Sequence, residues 1–218
     1  MPNWCNNVVE LAHKDPAMMI RARDAFNRGE LLNEFIPVPA ELKITAGRVG
    51  DDNDPKQIEL EAQEKANLAK YGYDTWYDFC VNEWGTKWDI GLDGSWGEAV
   101  EIDPNGGLTM SFDSAWAPPV PAYDKLLELG FEVRAYYYES GMCFAGVYDD
   151  GFDDYFEFGN MTADELADEL PEALDEMFCI TENMREWEEE NAEEDEVQEW
   201  YEEGVAKKGL EPHTTKSE

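Results

Sequence analysis

The chain has little of what metal sites and disulfide frameworks are built from. Its 218 residues include two histidines and four cysteines, and no two cysteines form a CxxC pair. Zinc sites need closely spaced cysteine and histidine ligands, and disulfide-rich folds need many cysteines, so the sequence predicts neither. We therefore expect no metal and no cofactor. Dispersed cysteines favour a reducing compartment such as the cytoplasm.

Long apolar runs are also missing. No stretch reaches the roughly 18 apolar residues that a membrane-spanning helix needs. Residues 1–7 are polar and lack the cationic and apolar segments of a secretion signal. The expected location is therefore the cytoplasm, without membrane contact.

Motifs of familiar enzyme classes are absent. The sequence contains no G-x-S-x-G, no H-E-x-x-H and no phosphate-binding loop, so neither a histidine-activated nucleophile nor a metal hydrolase is indicated. We expect a protein that is not an enzyme. One enzymatic alternative stays open, a carboxylate-based hydrolase. It would use the acids near residues 89–103, which are Asp89, Asp93, Glu98, Glu101 and Asp103.

Positive charge is scarce. The 16 lysines and arginines stand against 51 aspartates and glutamates, which gives a formal net charge of -35 at pH 7. A surface of this charge repels nucleic acid phosphates and anionic lipids. The sequence therefore predicts no direct nucleic acid binding and no membrane binding, and it favours a basic protein as the partner.

The negative charge is concentrated towards the C-terminus. Residues 1–148 have a net charge of -13, residues 149–204 have -23, and residues 205–218 have +1. Together with the pattern of elements, this partition predicts a folded domain over residues 1–159 and an acidic helical extension over residues 160–204. Residues 205–218 are predicted to be a flexible tail.

Hydrophobic residues make up 43% of the chain and aromatic residues 13%, so a packed core is expected. Apolar alternation predicts a strand over residues 4–11, and apolar spacing of three and four predicts helices over residues 16–28 and 119–129. Further predicted strands cover residues 88–92, 98–102, 108–112, 131–137, 142–148 and 152–158, and further predicted helices cover residues 57–70 and 74–82. The predicted fold class is α+β, a mostly antiparallel sheet with helices on one face and an inserted loop and helices at about residues 40–82.

The acidic extension is predicted to be helical. Thr162 and Glu165 have the spacing of a capping box, Pro171 is suited to start a second helix, and Thr181 is suited to cap a third that ends near Gly204. Carboxylates occur about once per 3 Å of this third helix, close to the ~3.4 Å spacing of phosphates in a DNA strand. Such a surface is suited to occupy the nucleic acid site of a basic protein, and a solvated, solubilising face is the alternative. The candidate binding residues are Glu186, Glu188, Glu189, Glu190, Glu193, Glu194, Asp195, Glu196, Glu199, Glu202 and Glu203.

Residues 82–88 (NEWGTKW) have the most unusual local composition in the chain. One interpretation is a groove for a nucleotide or a peptide, in which indoles stack on the ligand and a lysine binds an anionic group. The other interpretation is structural. In it, Trp84 and Trp88 fill the core and Lys87 pairs with an acid such as Glu139. The candidate groove residues are Trp84, Lys87, Trp88, Trp116 and Glu139.

Four motifs occur in order along the chain. They are the opening MPNWCNN, the block NEWGTKWD at residues 82–89, the block SAWAPP at residues 114–119, and YE at residues 138–139 followed by FAG at residues 144–146. Together these motifs resemble the YubB-type ferredoxin-like domain family, which bacteriophages and conjugative plasmids encode and whose function is poorly characterised. Ser114 stands where the family usually has threonine, which keeps the hydroxyl. The resemblance covers about residues 1–148 and implies a ferredoxin-like fold and a mobile-element origin, without implying a reaction.

The resemblance sharpens the expected function. We expect a non-enzymatic phage or plasmid protein, located in the cytoplasm of a bacterial host, that binds and inhibits a basic nucleic-acid-binding or defence protein of that host. The acidic surface would act as a mimic of DNA. The groove-binding module and the carboxylate-based hydrolase stay as alternatives. Exposed, convergent indoles would favour the groove, and buried indoles would argue against it.

Overall fold

The structure, a computed structural model, describes residues 3–92 and 99–192. Its strands are β1 (Trp4–Ala12), β2 (Leu108–Ala115), β3 (Glu132–Glu139), β4 (Phe144–Asp149) and β5 (Phe152–Glu157). Between β1 and β2 in the sequence come helices α1 (Pro16–Asn27), α2 (Leu31–Phe35), α3 (Pro55–Tyr71) and α4 (Trp76–Phe79), a 3₁₀ turn (Ala40–Leu42) and a π-helical turn (Cys80–Trp84). Helix α5 (Val120–Glu128) follows β2, and α6 (Ala163–Glu169) and α7 (Glu172–Phe178) follow β5.

The strands form one sheet in the order β2-β1-β3-β4-β5, and every neighbouring pair is antiparallel. Because β2 and β3 both run antiparallel to β1, they are parallel to each other, and α5 connects them. This arrangement is a split β-α-β unit. The prediction of an α+β fold with a mostly antiparallel sheet is confirmed.

Alternation along the strands determines which side of the sheet is buried. Along β1 every second side chain from Cys5 to Leu11 is buried, and the residues between them are exposed or half-buried. Helices α1 and α5 pack against this buried side, because their own buried residues share one hydrophobic cluster with those of the strands. The shared cluster includes Val9, Leu11, Met19, Ala22, Ala25, Phe26, Met110, Ala122, Tyr123, Leu126, Val133 and Ala135.

Helices α1 and α3 begin in the same way, with an aspartate followed by a proline. The carboxylates of Asp15 and Asp54 each accept a backbone N–H of the first helical turn. The proline after each aspartate has no N–H that needs a partner there. Helix α3 ends at Gly72, whose φ of 80° is left-handed. These local signals explain why the helices predicted from the sequence are present.

Two predicted strands are wrong. Residues 88–92 and 99–102 are not strands, because their backbone groups bond to α1 and α2 instead of to the sheet. The Leu31 N–H donates to the carbonyl of Ile90. In the second segment, the Asn27 side chain donates to the Val100 carbonyl and accepts the Val100 N–H. Residue 98 lies outside the described residues.

Residues 103–107 (DPNGG) predict a hairpin turn between the two expected strands at 98–102 and 108–112. The turn is present before β2, but the hairpin is not, because residues 99–102 are not a strand. The Asp103 carboxylate accepts the N–H groups of Asn105 and Gly107. The Gly106 N–H donates to the carbonyl of Asp103 (3.0 Å). The aspartate therefore closes the turn with its own side chain, as Asp-Pro-Asn-Gly sequences favour.

The hairpin of β4 and β5 is closed by Asp150 and Gly151. Their φ angles of 45° and 96° are both positive, as a type I′ turn requires. Tyr137 on β3 reaches across β4 and donates its hydroxyl to Asp153 on β5 (2.8 Å). A Cβ on Gly146 of β4 would clash with that hydroxyl, so glycine is needed where the ring passes.

The chain separates into two compact units, Met1–Gly159 and Asn160–Glu218. In the second unit, α6 begins with the predicted capping box of Thr162 and Glu165, which is confirmed. Helix α7 ends at Cys179, and helical residues continue from 180 to 192, where the description ends; we call this helix α8.

The capping role predicted for Thr181 is wrong. Thr181 lies inside α8, one residue after its start. Its N–H and its hydroxyl both donate to the carboxylate of Asp175 on α7. The first turn of α8 is therefore held by an aspartate from the preceding helix. The predicted end of this helix near Gly204 lies outside the described residues.

The longest helix in the described parts of the chain is α3, with 17 residues, and charged side chains occur throughout it. Within residues 3–92 and 99–192, no helix combines the length and the apolar character needed to cross a membrane.

Candidate ligand site

Trp84 anchors the segment that carries the site. Its side chain is 4% exposed, and the indole N–H donates to the Ile36 carbonyl (2.9 Å). Gly85 follows with a φ of 79°, a left-handed conformation that favours glycine. A Cβ at Gly85 would also clash with the ring of Pro121. Trp84 is thus a core residue and not an exposed indole, although it forms part of the lining of a small cavity.

Thr86 fixes the chain to the end of β2. Its hydroxyl accepts the Ala115 N–H (3.0 Å) and donates to the Ala115 carbonyl (3.3 Å). The threonine is 1% exposed. Because Trp84 is held in the core and Thr86 is held against β2, the next two residues, Lys87 and Trp88, are positioned at the surface.

Lys87 lies among partly exposed aromatic rings. Its Nζ is 4.7 Å from the ring centroid of Trp88, 5.6 Å from that of Trp116 and 5.7 Å from that of Tyr77. Trp88 and Trp116 are 41% and 42% exposed. These distances are typical of cation–π contacts. The expectation that Trp88 fills the core is wrong, because the chain turns outward before it.

Trp4 contributes a third exposed indole. Alternation along β1 places it on the side opposite Cys5, and it is 46% exposed. Its ring centroid is 5.7 Å from that of Trp88, with the two planes at 34°. We name the set of Trp4, Tyr77, Lys87, Trp88 and Trp116 the tryptophan–lysine cluster.

The backbone that presents Trp116 is strained and held by buried polar groups. Trp116 has a φ of 68°, a conformation that is costly for a bulky residue and that occurs preferentially at functional sites. Its N–H donates to the Asn3 carbonyl (2.9 Å). The Ser114 hydroxyl donates to the Ala117 carbonyl (2.7 Å) and accepts from the Asn7 side chain (2.9 Å). The hydroxyl of Ser114 therefore closes the turn that carries the indole.

Two cavities border Trp88. The smaller has a volume of about 350 Å³, and its lining includes two lysines, Lys43 and Lys87. The larger, of about 820 Å³, lies between Trp4, Trp88 and residues 111–115 of β2. Both volumes fall within the range of small-molecule sites.

The two lysines of the smaller cavity form no ion pair within the described residues, and the same is true there of Lys14, Lys56 and Lys65. In residues 3–92 and 99–192, all six arginines form ion pairs with acids. The lining also includes the acids Glu30 and Asp89. Because backbone donors already occupy the Asp89 carboxylate, Lys43 and Lys87 are the groups of this cavity that could bind an anionic group.

Asp89, which also lines this cavity, has a structural role. Its carboxylate accepts the N–H groups of Leu32, Asn33 and Ile90, and so it holds the start of α2. Burial raises the pKa of the Asp89 carboxyl, and the three backbone hydrogen bonds act in the opposite direction. Both carboxylate oxygens of Asp89 therefore already accept hydrogen bonds from the backbone.

Of the other acids considered for a hydrolase, the two that the structure describes, Glu101 and Asp103, have separate surroundings. Asp103 closes the turn before β2. Glu101 is exposed beside Arg23, with 3.6 Å between their charged groups. Asp93 and Glu98 lie outside the described residues. Among the residues that the structure does describe, no three His, Cys, Asp or Glu side chains are grouped closely enough to hold a metal ion.

Glu139 does not belong to the cluster. It is 3% exposed, and its carboxylate accepts the N–H groups of Gly141 and Met142 in the turn between β3 and β4. The expected pairing of Glu139 with Lys87 is wrong, because backbone donors already satisfy this buried carboxylate.

The acidic candidate residues are described only in part. Glu186, Glu189 and Glu190 are exposed on α8. Glu188 is half-buried, and its carboxylate accepts the Ala163 N–H at the start of α6 (2.9 Å). Glu188 therefore stabilises the second unit instead of facing a partner. The candidates outside the described residues are Glu193, Glu194, Asp195, Glu196, Glu199, Glu202 and Glu203.

Sequence reasoning missed three residues of this region: Trp4, Tyr77 and Lys43. A signal for Trp4 was present, because alternation along β1 places its indole on the side opposite the buried residues. No local pattern relates Tyr77 or Lys43 to Lys87. These side chains come together only through the packing of separate helices and turns.

Comparison with known proteins shows a distant similarity between this chain and a solved structure. No family model matches the chain, and no curated protein matches it. The crystal structure of protein api92 from Yersinia pseudotuberculosis, described by the family model DUF1281, is similar over 73% of this chain and 99% of that chain. The sequence identity is 13% and the TM-score is 0.38. A similarity at this TM-score carries no conclusion about fold or activity.

Proposed function

We propose that this chain is a binding protein whose ligand site is the tryptophan–lysine cluster. The proposed ligand has a flat ring and an anionic group, as a mononucleotide does. The observation that supports this is the contact of two exposed indoles, Trp88 and Trp116, with Lys87, whose ammonium forms no ion pair within the described residues. A third exposed indole, Trp4, packs on Trp88. Indole faces stack on bases with little sequence preference, and a lysine binds phosphate as a point charge.

The charge of the protein favours a small ligand over a polymer. A long nucleic acid would meet the field of a chain with a net charge of -35. A mononucleotide in the smaller cavity would lie close to Lys43 and Lys87 and also to the lining acids Glu30 and Asp89. Acids beyond about 8 Å are screened at physiological ionic strength. We propose binding without catalysis, since the nearby Asp89 carboxylate is used by backbone donors.

Titration with nucleoside monophosphates, followed by tryptophan fluorescence and calorimetry, tests this proposal. Lys87→Met removes the charge but keeps a long side chain, and it is expected to weaken binding about tenfold, or 1.4 kcal/mol. Trp116→Leu is expected to cost about 1–3 kcal/mol of binding free energy through lost stacking. Lys65→Met, an exposed lysine on α3, is the matched control and should bind normally. Equal affinity for Lys87→Met and the parent protein would contradict the proposal.

The second unit supports a second candidate function, the binding of a basic protein. Within residues 160–192, the acids are exposed apart from Asp175 and Glu188. Arg185, the only base in these residues, is paired with Asp164 (3.1 Å). Such a surface attracts a basic partner through several charges at once. We propose that a basic nucleic-acid-binding or defence protein of a bacterial host docks on this surface and is inhibited.

The origin, topology and location are also proposals. A ferredoxin-like topology is supported by the split β-α-β unit that β2, α5 and β3 form around β1. A phage or plasmid origin is supported by the four sequence motifs. A cytoplasmic location is supported by the four cysteines, all of which are free thiols. Fractionation of cells that produce the full chain would test the location.

A further inference from the structure

The sheet is open at β5. In the parts of the chain that the structure describes, β5 pairs with β4 and with no other strand. All side chains of β5 are exposed except that of Phe156, which is half-buried. Phe152 and Tyr155 are 70% and 52% exposed. Because the two side chains are three residues apart, they lie on opposite faces of the sheet, so each face of this edge strand carries one exposed aromatic ring.

Backbone groups of three β5 residues face away from β4. In an antiparallel pair, hydrogen-bonded residues alternate with residues whose N–H and C=O point to the other side. The two-residue turn makes Asp149 and Phe152 a hydrogen-bonded pair. The Phe158 N–H donates to the Cys143 carbonyl (2.9 Å), which agrees with this alternation. The outward-facing backbone groups belong to Asp153, Tyr155 and Glu157.

β5 is held in place by its neighbours. The Tyr137 hydroxyl donates to Asp153 (2.8 Å). The rings of Phe144 and Tyr155 are stacked, with centroids 5.5 Å apart and planes at 29°. An edge that is already ordered loses little conformational freedom when a strand is added, so more of the hydrogen-bond energy remains as affinity.

The charge of β5 determines which kind of strand fits. Its acids are Asp153, Asp154 and Glu157, and it carries no base. Arg134 on β3 is already paired with Asp149 (2.7 Å). A second copy of β5, added antiparallel, would place acids against acids, which is destabilising. Asp153 and Glu157 lie on the same face of the sheet, and Phe152 lies on the other face. A strand that places lysines or arginines on the first face and apolar residues on the second would pair with these two acids and cover the Phe152 ring.

We propose that the β5 edge is a docking site for an extended basic segment of a partner protein, which adds to the sheet as a sixth strand. Backbone hydrogen bonds to the three outward-facing residues supply affinity, and alternating basic and apolar side chains supply specificity. The site lies in the first unit and uses neither the tryptophan–lysine cluster nor the helices of the second unit. The inference therefore does not rest on either proposed function.

Two peptides of equal charge test this proposal on the full chain. The first is a short peptide of alternating lysine and valine. The second has the same sequence with N-methyl groups on three consecutive central amides, so that neither of its edges can pair. The first is expected to bind and to slow amide hydrogen exchange at Asp153, Tyr155 and Glu157. The second is expected to bind about tenfold more weakly. Equal affinities, or slowed exchange confined to the second unit, would overturn the proposal.

A pair of variants tests the same edge from the protein side. Tyr155→Pro removes an N–H that β4 does not use, and proline is tolerated at such edge positions. Tyr155→Thr, the control, removes the ring but keeps the N–H. The first peptide is expected to bind Tyr155→Pro about tenfold more weakly than Tyr155→Thr. Equal binding by the two folded variants would overturn the proposal. If Tyr155→Pro does not fold, the two peptides decide the question.

Discussion

The two compact units differ in the balance and pairing of their acidic and basic side chains. In the described parts of the first unit, five arginines pair with acids, while Lys43 and Lys87 are left without acidic partners at one cavity. In residues 160–192 of the second unit, 12 acids face one base, and that base is already paired. This contrast is the basis on which we propose an anionic ligand for the first unit and a cationic partner for the second.

The two units also differ in the interactions that offset the repulsion between their like charges. The first unit has a large hydrophobic cluster that includes residues of four strands. In the second unit, the buried apolar residues of α6, α7 and α8 are few. Polar contacts such as the Thr162 capping box and the Glu188 hydrogen bond therefore carry a larger share of its stability. Variants that act on one unit can test this contrast.

The largest expected effect separates two tryptophans of the first unit. Trp84→Ala removes a core residue and a buried hydrogen bond, and it is expected to lower the free energy of unfolding by about 3–5 kcal/mol. Trp88→Ala removes a partly exposed ring, and it is expected to lower it by less than about 1 kcal/mol while weakening ligand binding. Thermal unfolding and nucleotide titration measure both. Equal destabilisation by the two variants would contradict the assignment of Trp88 to the ligand surface.

The next effect concerns the acidic surface of the second unit. A triple variant, Glu186→Gln, Glu189→Gln and Glu190→Gln, is expected to slow association with a basic protein such as a histone about tenfold at low salt. Its stability should be unchanged or raised, because like charges repel less. The control neutralises three exposed acids of the first unit, Glu10, Glu59 and Glu132. If the control slows association equally, only the net charge of the chain matters.

A smaller effect tests the role of Glu188. Glu188→Ala removes the acceptor of the Ala163 N–H at the start of α6, and it is expected to cost about 1 kcal/mol, as loss of a helix cap does. Glu189→Ala, at the exposed neighbouring position, is the control and should cost close to nothing. Amide hydrogen exchange in α6 measures both changes. Faster exchange in both variants alike would show that Glu188 has no special role.

The smallest effect is a dependence on pH. Hydrogen bonding from Lys70 is the main cause that lowers the pKa of Glu41 to about 2. Because the folded pKa lies below the unfolded value of about 4.5, this contact stabilises the fold above that value and is lost as the pH falls through about 2. Glu41→Gln is therefore expected to show a flatter fall of melting temperature between pH 5 and 2. Glu59→Gln is the control, and identical curves for Glu41→Gln and the parent would contradict the prediction.

Prediction from the sequence was most successful where neighbours along the chain supply the partners. The Asp-Pro start of α1 and the capping box of α6 each use residues within one turn. The start of α3 was predicted two residues too late, at 57, although Asp54 and Pro55 give the same local signal. The turn at Asp103 closes on itself. In each case the side chain and the backbone group that it satisfies lie a few residues apart, so their spacing is visible in the sequence.

Prediction was wrong where the partner lies far away along the chain. Trp88 was expected in the core, but the contact of Thr86 with Ala115 positions it at the surface. The expected pairing of Glu139 with the distant Lys87 was also wrong, although in this case the partners that replace it, the N–H groups of Gly141 and Met142, are close along the chain. Residues 88–92 alternate like a strand, yet their backbone bonds to α1 and α2.

By itself, the sequence determined the α+β class, most helices, the first strand and the uneven division of charge, because periodicity, caps and composition depend on residues near one another. Tertiary structure alone decided which indoles face solvent and which lysines lack acidic partners. It also left the outer side of β5 unpaired among the described residues. These properties depend on burial and on contacts between distant segments. The type of an apolar or charged residue does not show whether the fold buries it, pairs it with an opposite charge or leaves it exposed to solvent.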